Sequence, residues 1–250
     1  GTIFISDKFY CNKKLINSII LNYGNISSKI FGLTIHIEDK EHITDKPCII
    51  ISNHINMFDH FIMAYIQNKV PPFITLNKFN IFPISTLIKY TKSIICSHNK
   101  KSNVVQKMKQ RIKQGDQVTI YPDSCDYIPE DKLMAPFKSG AFVPKEPILP
   151  IVIRYIPSSN TNMNWNDNTL FSLLHSYLLD GDIQVYVKIL PLQYYKHDYK
   201  SHEDYKHGIY ELMNQGLSSL PRQEPNLMIG KSSSKYTMKF LLYIKKYILK

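Results

Sequence analysis

The chain has 250 residues, 44% of them hydrophobic and 20% charged, with a formal net charge of +11. These proportions exclude a disordered chain and leave room for one large domain with a substantial core. Only Arg111, Arg154 and Arg222 are arginines, so the positive charge is nearly all lysine. That argues against a nucleic-acid reader built on bidentate guanidinium contacts and fits general attraction to an anionic membrane surface, although a coding bias toward Lys, Ile, Asn and Tyr explains the same charge.

Cys11, Cys48, Cys96 and Cys125 are widely spaced, with no CxxC pair. This speaks against a zinc ribbon or a disulfide framework and for a reducing compartment. No apolar run reaches the roughly 18 to 20 residues that span a bilayer. The chain begins with Gly1, which leaves room for a membrane segment upstream.

In chain order, residues 9 to 30 carry Leu15, Ile16, Ile19, Ile20 and Ile26 near helical spacing and predict a helix or helix pair. Phe31 to Ile37 alternates, with Leu33, Ile35 and Ile37 on one face of a strand. Pro47 to Ile51 reads as a short buried strand and Phe58 to Gln67 as a helix. Phe73 to Leu76 is a strand, followed by a helix over Ile81 to Tyr90 with Pro83 in its first turn. Ser93 to Cys96 is a strand, and Ser102 to Lys113 is a helix with Val105, Met108 and Ile112 on one stripe and Gly115 just past its end. Gln117 to Tyr121 is a strand that stops at Pro122, before the polar loop Asp123 to Asp126. Phe137 to Phe142 predicts one helical turn, Pro147 to Tyr155 and Asp182 to Leu190 predict strands, and residues 203 to 220 predict a helix.

Short buried strands alternating with helices predict an α/β fold with a largely parallel central sheet flanked by helices. The predicted organisation is a single domain over residues 1–220, with its motif core at 47–155. A linker is expected over residues 221–234, then a basic amphipathic helix over 235–250. In that last segment Phe240, Leu241, Ile244, Tyr247 and Ile248 share a stripe flanked by lysines. The pattern suits a helix lying in a membrane interface, or one docked on the sheet.

The chemistry concentrates where the Pro47 to Ile51 strand hands over to the next helix. Ligands collect at the carboxyl ends of strands in α/β sheets. His54 and Asp59 stand there, five residues apart. Across a tight turn an Asp can fold back to accept the Nδ1 proton of a His, leaving Nε2 free as a general base. No nucleophilic serine accompanies the pair, so the proton it removes belongs to a substrate hydroxyl. The alternative is a polar turn with a helix-capping Asp. A metal site over His54, Asp59 and His60 fits no zinc-ligand spacing, and no metal is expected.

Several blocks in order carry a resemblance. Asn53, His54 and Asp59 form N-H-x4-D. Lys92 to His98 is an apolar strand with polar ends. Tyr121-Pro122-Asp123-Ser124-Cys125-Asp126 is succeeded by Pro136-Phe137-Lys138-Ser139-Gly140-Ala141-Phe142, and Ile148-Leu149-Pro150-Ile151-Val152 closes the series. Together they resemble the PlsC-like glycerolipid acyltransferases, the family of 1-acylglycerol-3-phosphate acyltransferases, as a divergent member. The resemblance implies transfer of a fatty acyl group from acyl-CoA or acyl carrier protein to a hydroxyl of a lysophospholipid or related glycerolipid. On that reading His54 is the base and Asp59 its orienter. Asn53, Asn56, Lys78, His98, Asp123, Ser124, Cys125, Phe137, Lys138 and Gly140 bind substrate. No cofactor is needed beyond acyl-CoA as co-substrate.

The departures from the family pattern are specific. Asn56 stands where the family has Ser. His98 and Asp126 stand where it has arginines thought to hold the acceptor phosphate, and the Gly that opens the second block is replaced within Lys92-Ser93. Either the acceptor has no phosphate there, or Lys78, Lys92 or Lys138 supplies the charge. The resemblance further implies partnership with a membrane surface at its cytoplasmic face and with no nucleic acid. The alternative is a catalytically weak or inactive membrane-associated module that keeps the acyltransferase fold.

Overall fold

A computed structural model of the chain describes residues 22–56, 58–67, 70–77, 80, 84–96, 103–123, 133–158, 182–195 and 199–222. The expected helix before residue 22, Lys78, Pro83, His98, Ser124, Cys125, Asp126 and the expected helix at 235–250 lie outside these residues. The strands are β1 (Leu33–Glu38), β2 (Ile49–Ser52), β3 (Ile74–Leu76), β4 (Ile94–Cys96), β5 (Val118–Ile120), β6 (Ile148–Pro157) and β7 (Ile183–Ile189). The helices are α1 (Tyr23–Ile30), α2 (Asp59–Gln67), α3 (Ile84–Thr91), α4 (Val104–Lys113) and α5 (His202–Ser219).

Five strands form one sheet in the order β1-β7-β6-β2-β5, and β3 and β4 pair separately. A parallel bridge between Phe73 and Thr119, with the Thr119 N–H donating to Pro72 O at 2.8 Å, lays β3 beside β5. All pairs are parallel except β6 with β7. The expected α/β architecture with a largely parallel sheet is therefore present, with one antiparallel pair inside it.

Period-2 alternation divides the core into two layers. On one face Ile50, Leu149, Ile151, Ile153, Val185 and Val187 pack with Phe58, Ile62 and Met63 at and within α2. On the other, Ile49, Ile51, Val118 and Val152 pack with Met108 and Ile112 of α4 and with Tyr205, Ile209 and Met213 of α5. β2 is buried along its whole length, as a strand covered by helices on both faces must be. Against this first layer lies α1, whose Gly24 meets the backbone of α2 so closely that a Cβ would collide with Tyr65. Only glycine permits that approach.

The expected strands start a residue or two early at Phe31, Pro47, Phe73, Ser93 and Gln117. Phe31 is buried, but as the residue that ends α1, and Phe73 makes a single bridge. Burial sets the hydrophobic pattern, whereas the ladder sets the strand. The turn expected at Phe137 to Phe142 is a 3-10 turn over Ser139–Ala141. Helix α5 opens with a capping box, Ser201 Oγ accepting from the Asp204 N–H and Asp204 accepting from the Ser201 N–H.

Candidate active site

Strand β2 ends at Ser52, and Asn53 anchors the turn that leaves it. The Asn53 amide donates to Ile153 O and accepts from the Ile153 N–H, both at 2.8 Å. This two-way clasp ties the end of β2 to β6 where the main chain leaves the ladder. Next, the Asn56 side chain accepts from the Phe58 N–H at 2.9 Å, an Asx turn that starts α2. Between these anchors, His54 and Asp59 face each other, with His54 Nδ1 at 2.7 Å from Asp59 Oδ2.

Asp59 is the most heavily committed side chain of the site. Oδ2 also accepts from the N–H groups of Ile55 at 2.8 Å and Asn56 at 3.1 Å, and Oδ1 accepts from the Tyr155 hydroxyl at 2.7 Å. As the first residue of α2 it further meets the positive end of the helix. A carboxylate is acceptor-only, so the imidazole must present Nδ1–H to it, and the lone pair lies on Nε2. The Asp59 side chain is fully buried while 19% of the His54 side chain stays exposed. Substrate therefore reaches the dyad across the imidazole.

Three further groups set the ring. Tyr121 stacks on His54 with centroids 4.2 Å apart and planes 19° apart. Asp123, itself buried, accepts from the His54 backbone N–H at 2.8 Å. His60 stands edge-on to Tyr121 and 6.1 Å from the His54 ring, with Phe73 on its other side. Burial, helped by the nearby His54, pushes His60 down to about 3. A base that weak accepts no proton at neutral pH, so His60 does not compete with His54 for that role.

The structure thus brings His54, Asp59 and Asp123 together. Asn53 and Asn56 are both buried beneath the site, the Asn53 amide bonded in both directions to Ile153 and the Asn56 side-chain oxygen accepting from the Phe58 N–H. Phe137 lies in the second core layer, its ring against Phe142 and Tyr210. Lys138 is exposed, and its N–H donates to Pro122 O, which sets it next to Asp123. Gly140 has open space where a Cβ would go, so no close approach requires glycine there. Lys92 begins the approach to β4 from the amino end, the opposite end of the sheet from His54.

Sequence reading missed Tyr155, Tyr121 and the role of His60. Tyr155 sits in an apolar strand 96 residues from Asp59, with no local signal. Tyr121 and His60 flank motif residues, but only the folded turn brings their rings to His54.

Comparison with known proteins matches residues 34–154 to the acyltransferase family model. That segment contains the dyad, Asp123 and Tyr121, and its likeness is to an acyltransferase domain. The chain is 26% identical over 159 residues to the lysophospholipid acyltransferase LPCAT4 of Xenopus tropicalis, covering 60% of this chain and 29% of that protein. It is 23% identical over 152 residues to the lysophospholipid acyltransferase LPEAT2 of Arabidopsis thaliana, covering 58% of this chain and 27% of that protein. The chain thus spans under a third of the length of these curated relatives. In fold it is similar to the crystal structure of the 1-acyl-sn-glycerophosphate acyltransferase PlsC from Thermotoga maritima. The TM-score is 0.60 and the identity 18%, with 86% of this chain and 83% of that one covered. No helix among the described residues is long and apolar enough to cross a membrane.

Proposed function

We propose that this protein transfers a fatty acyl group from a thioester, acyl-CoA or acyl carrier protein, to a free hydroxyl of a lysophospholipid at a membrane surface. The observation that carries the reading is the 2.7 Å His54–Asp59 contact at the carboxyl end of β2. His54 Nε2 takes the proton of the acceptor hydroxyl as its oxygen attacks the thioester carbonyl. The C–O bond forms, and the tetrahedral oxyanion is stabilised by hydrogen-bond donors. The oxyanion collapses, the C–S bond breaks, and the leaving thiolate takes the proton back from the imidazolium. Asp59 keeps the ring in the tautomer that both halves require and stabilises its charged form.

The names of the relatives support a lysophospholipid acceptor. An acceptor phosphate would find a lysine in Lys138, whose N–H is held by Pro122, the neighbour of Asp123. A lysine reads a phosphate as a point charge and with less directional demand than arginine. The test is thiol release from acyl-CoA with detergent-dispersed lysophosphatidic acid, other lysophospholipids, glycerol 3-phosphate and monoacylglycerol. Turnover with at least one lysophospholipid, absent in His54→Ala, is the expected result. A well-folded protein that releases thiol with none of them overturns the reading and leaves a membrane-associated module with the acyltransferase fold. Comparing Lys138→Ala on phosphorylated and unphosphorylated acceptors then tests the phosphate contact, by a rise in KM confined to the former.

A further inference from the structure

A cavity lies away from the dyad, between the amino end of β4, where Ile94 and Ile95 form an apolar wall, and one polar face of α4. Its volume is about 390 Å³, and its walls include Lys92, Ser93, Lys107, Gln110, Arg111 and Gln114. The α4 residues recur at helical spacing, so a single stripe of the helix supplies two cations and two amides to the cleft. Lys92 adds a third cation from the opposite wall, and among the described residues no Asp or Glu lines the space. Asp116 Oδ2 lies 3.1 Å from Arg111 Nε, beside the cleft. That buried Nε–H nevertheless makes no hydrogen bond among the described residues.

Lys92 has a left-handed backbone, shared among the described non-glycine residues with Asp39 and Lys145. It ends α3 in the left-handed region, φ +53°. Its N–H bonds Lys89 O and the next N–H, of Ser93, bonds Ile88 O. Helix α4 ends in the same way, with Gly115 at φ +90° bonding Ile112 O and Asp116 bonding Arg111 O. This type of helix end favours glycine, because a Cβ is crowded there. One end has the residue the backbone prefers and the other has a lysine. A lysine at such a position costs stability that a glycine would not.

We infer that this cleft binds a phosphoryl group, borne by a lipid headgroup or by a soluble phosphorylated compound, at a site separate from the His54 dyad. Three cations supply the charge, with no acid among the described lining residues and Arg111 shared with Asp116 beside the cleft. The two glutamine amides and the Arg111 fork supply donors to several phosphate oxygens at once.

The test uses the whole chain with two probes at fixed ionic strength. Inorganic pyrophosphate is titrated while the melting temperature is followed, and flotation is measured on phosphatidylcholine vesicles with and without phosphatidylglycerol. Lys92→Gly should melt higher than wild type without ligand, since glycine fits the left-handed position, and should bind the responsive probe about tenfold more weakly. Lys107→Gln and Arg111→Gln should weaken it similarly, while Lys109→Gln, an exposed lysine of α4 outside the cleft, should not. A saturable pyrophosphate shift lost in the cleft variants identifies a soluble phosphorylated ligand. Flotation lost in those variants, with no pyrophosphate shift, identifies a lipid headgroup. If the cleft variants respond to both probes as Lys109→Gln does, the charge is diffuse and the inference is overturned. Neither readout depends on turnover, so failure of the acyl-transfer reading leaves this result interpretable.

Discussion

The two ends of the sheet are built in opposite ways. At the carboxyl end, polar side chains are buried and consume one another. Asp59 accepts four hydrogen bonds, Asn53 clasps β6 in both directions, and Asp123 holds the His54 main chain. At the amino end of β4, the cleft exposes Lys92, Lys107, Gln110 and Gln114. The first arrangement fixes one imidazole geometry, since each group is costly to leave unpaired and therefore costly to move. Long, solvated side chains at the other end adapt to a ligand and fix nothing in advance. A chemical step calls for preorganisation, whereas recognition of an anion needs only charge within reach.

The contrast between the two ends is tested most severely by His54→Ala. It should lower kcat by at least about two orders of magnitude, while stability changes by about 1 kcal/mol because Asp59 keeps three of its donors. Steady-state kinetics beside a urea melt measures both, and an active variant would remove the dyad from the mechanism. Asp59→Asn should cost less, about one to two orders of magnitude. The Ile55 and Asn56 N–H groups demand an oxygen on their side, so the amide oxygen keeps the Nδ1–H tautomer and only the negative charge is lost. A larger loss, of the size seen when a tautomer is reversed, would show that the amide turns the other way.

Tyr155→Phe removes one donor from the buried carboxylate. It should reduce kcat several-fold with KM unchanged, since Tyr155 acts through Asp59 and not on substrate. A change confined to KM would place the hydroxyl at the substrate instead. The smallest effect concerns acid. His60 is held neutral down to about pH 3, against an ordinary value of 6.5. Between those values the unfolded chain takes up a proton that the native state refuses, so stability falls as pH drops through this window. His60→Phe should lose less stability than wild type between pH 7 and pH 4.5 in urea midpoints. Parallel losses would mean that His60 contributes nothing to the acid side.

Much of this was legible in the chain itself. The strand and helix series from Phe31 to Leu190 comes from hydrophobic period, because each buried strand and each amphipathic helix must hide its apolar side chains. The His54–Asp59 pairing was readable for a related reason: five residues across a strand-to-helix turn allow few geometries, so a local spacing predicts a contact. Gly115 announced the end of α4 in the same local way.

Where the partners are distant in sequence, the folding of the sheet settled the matter. Asn53 looks like a substrate ligand from its place beside His54. Its amide is taken by Ile153, 100 residues on. Phe137 sits in a motif-like stretch, yet the core claims its ring. Tyr155 reaches Asp59 because β6 pairs with β2, and Lys92 meets Lys107 and Arg111 because α4 packs beside β4. Hydrophobic periodicity is a property of neighbours along the chain, and it says which face of an element is buried. Which side chains from two elements meet depends on strand order and register, and only the folded sheet fixes those.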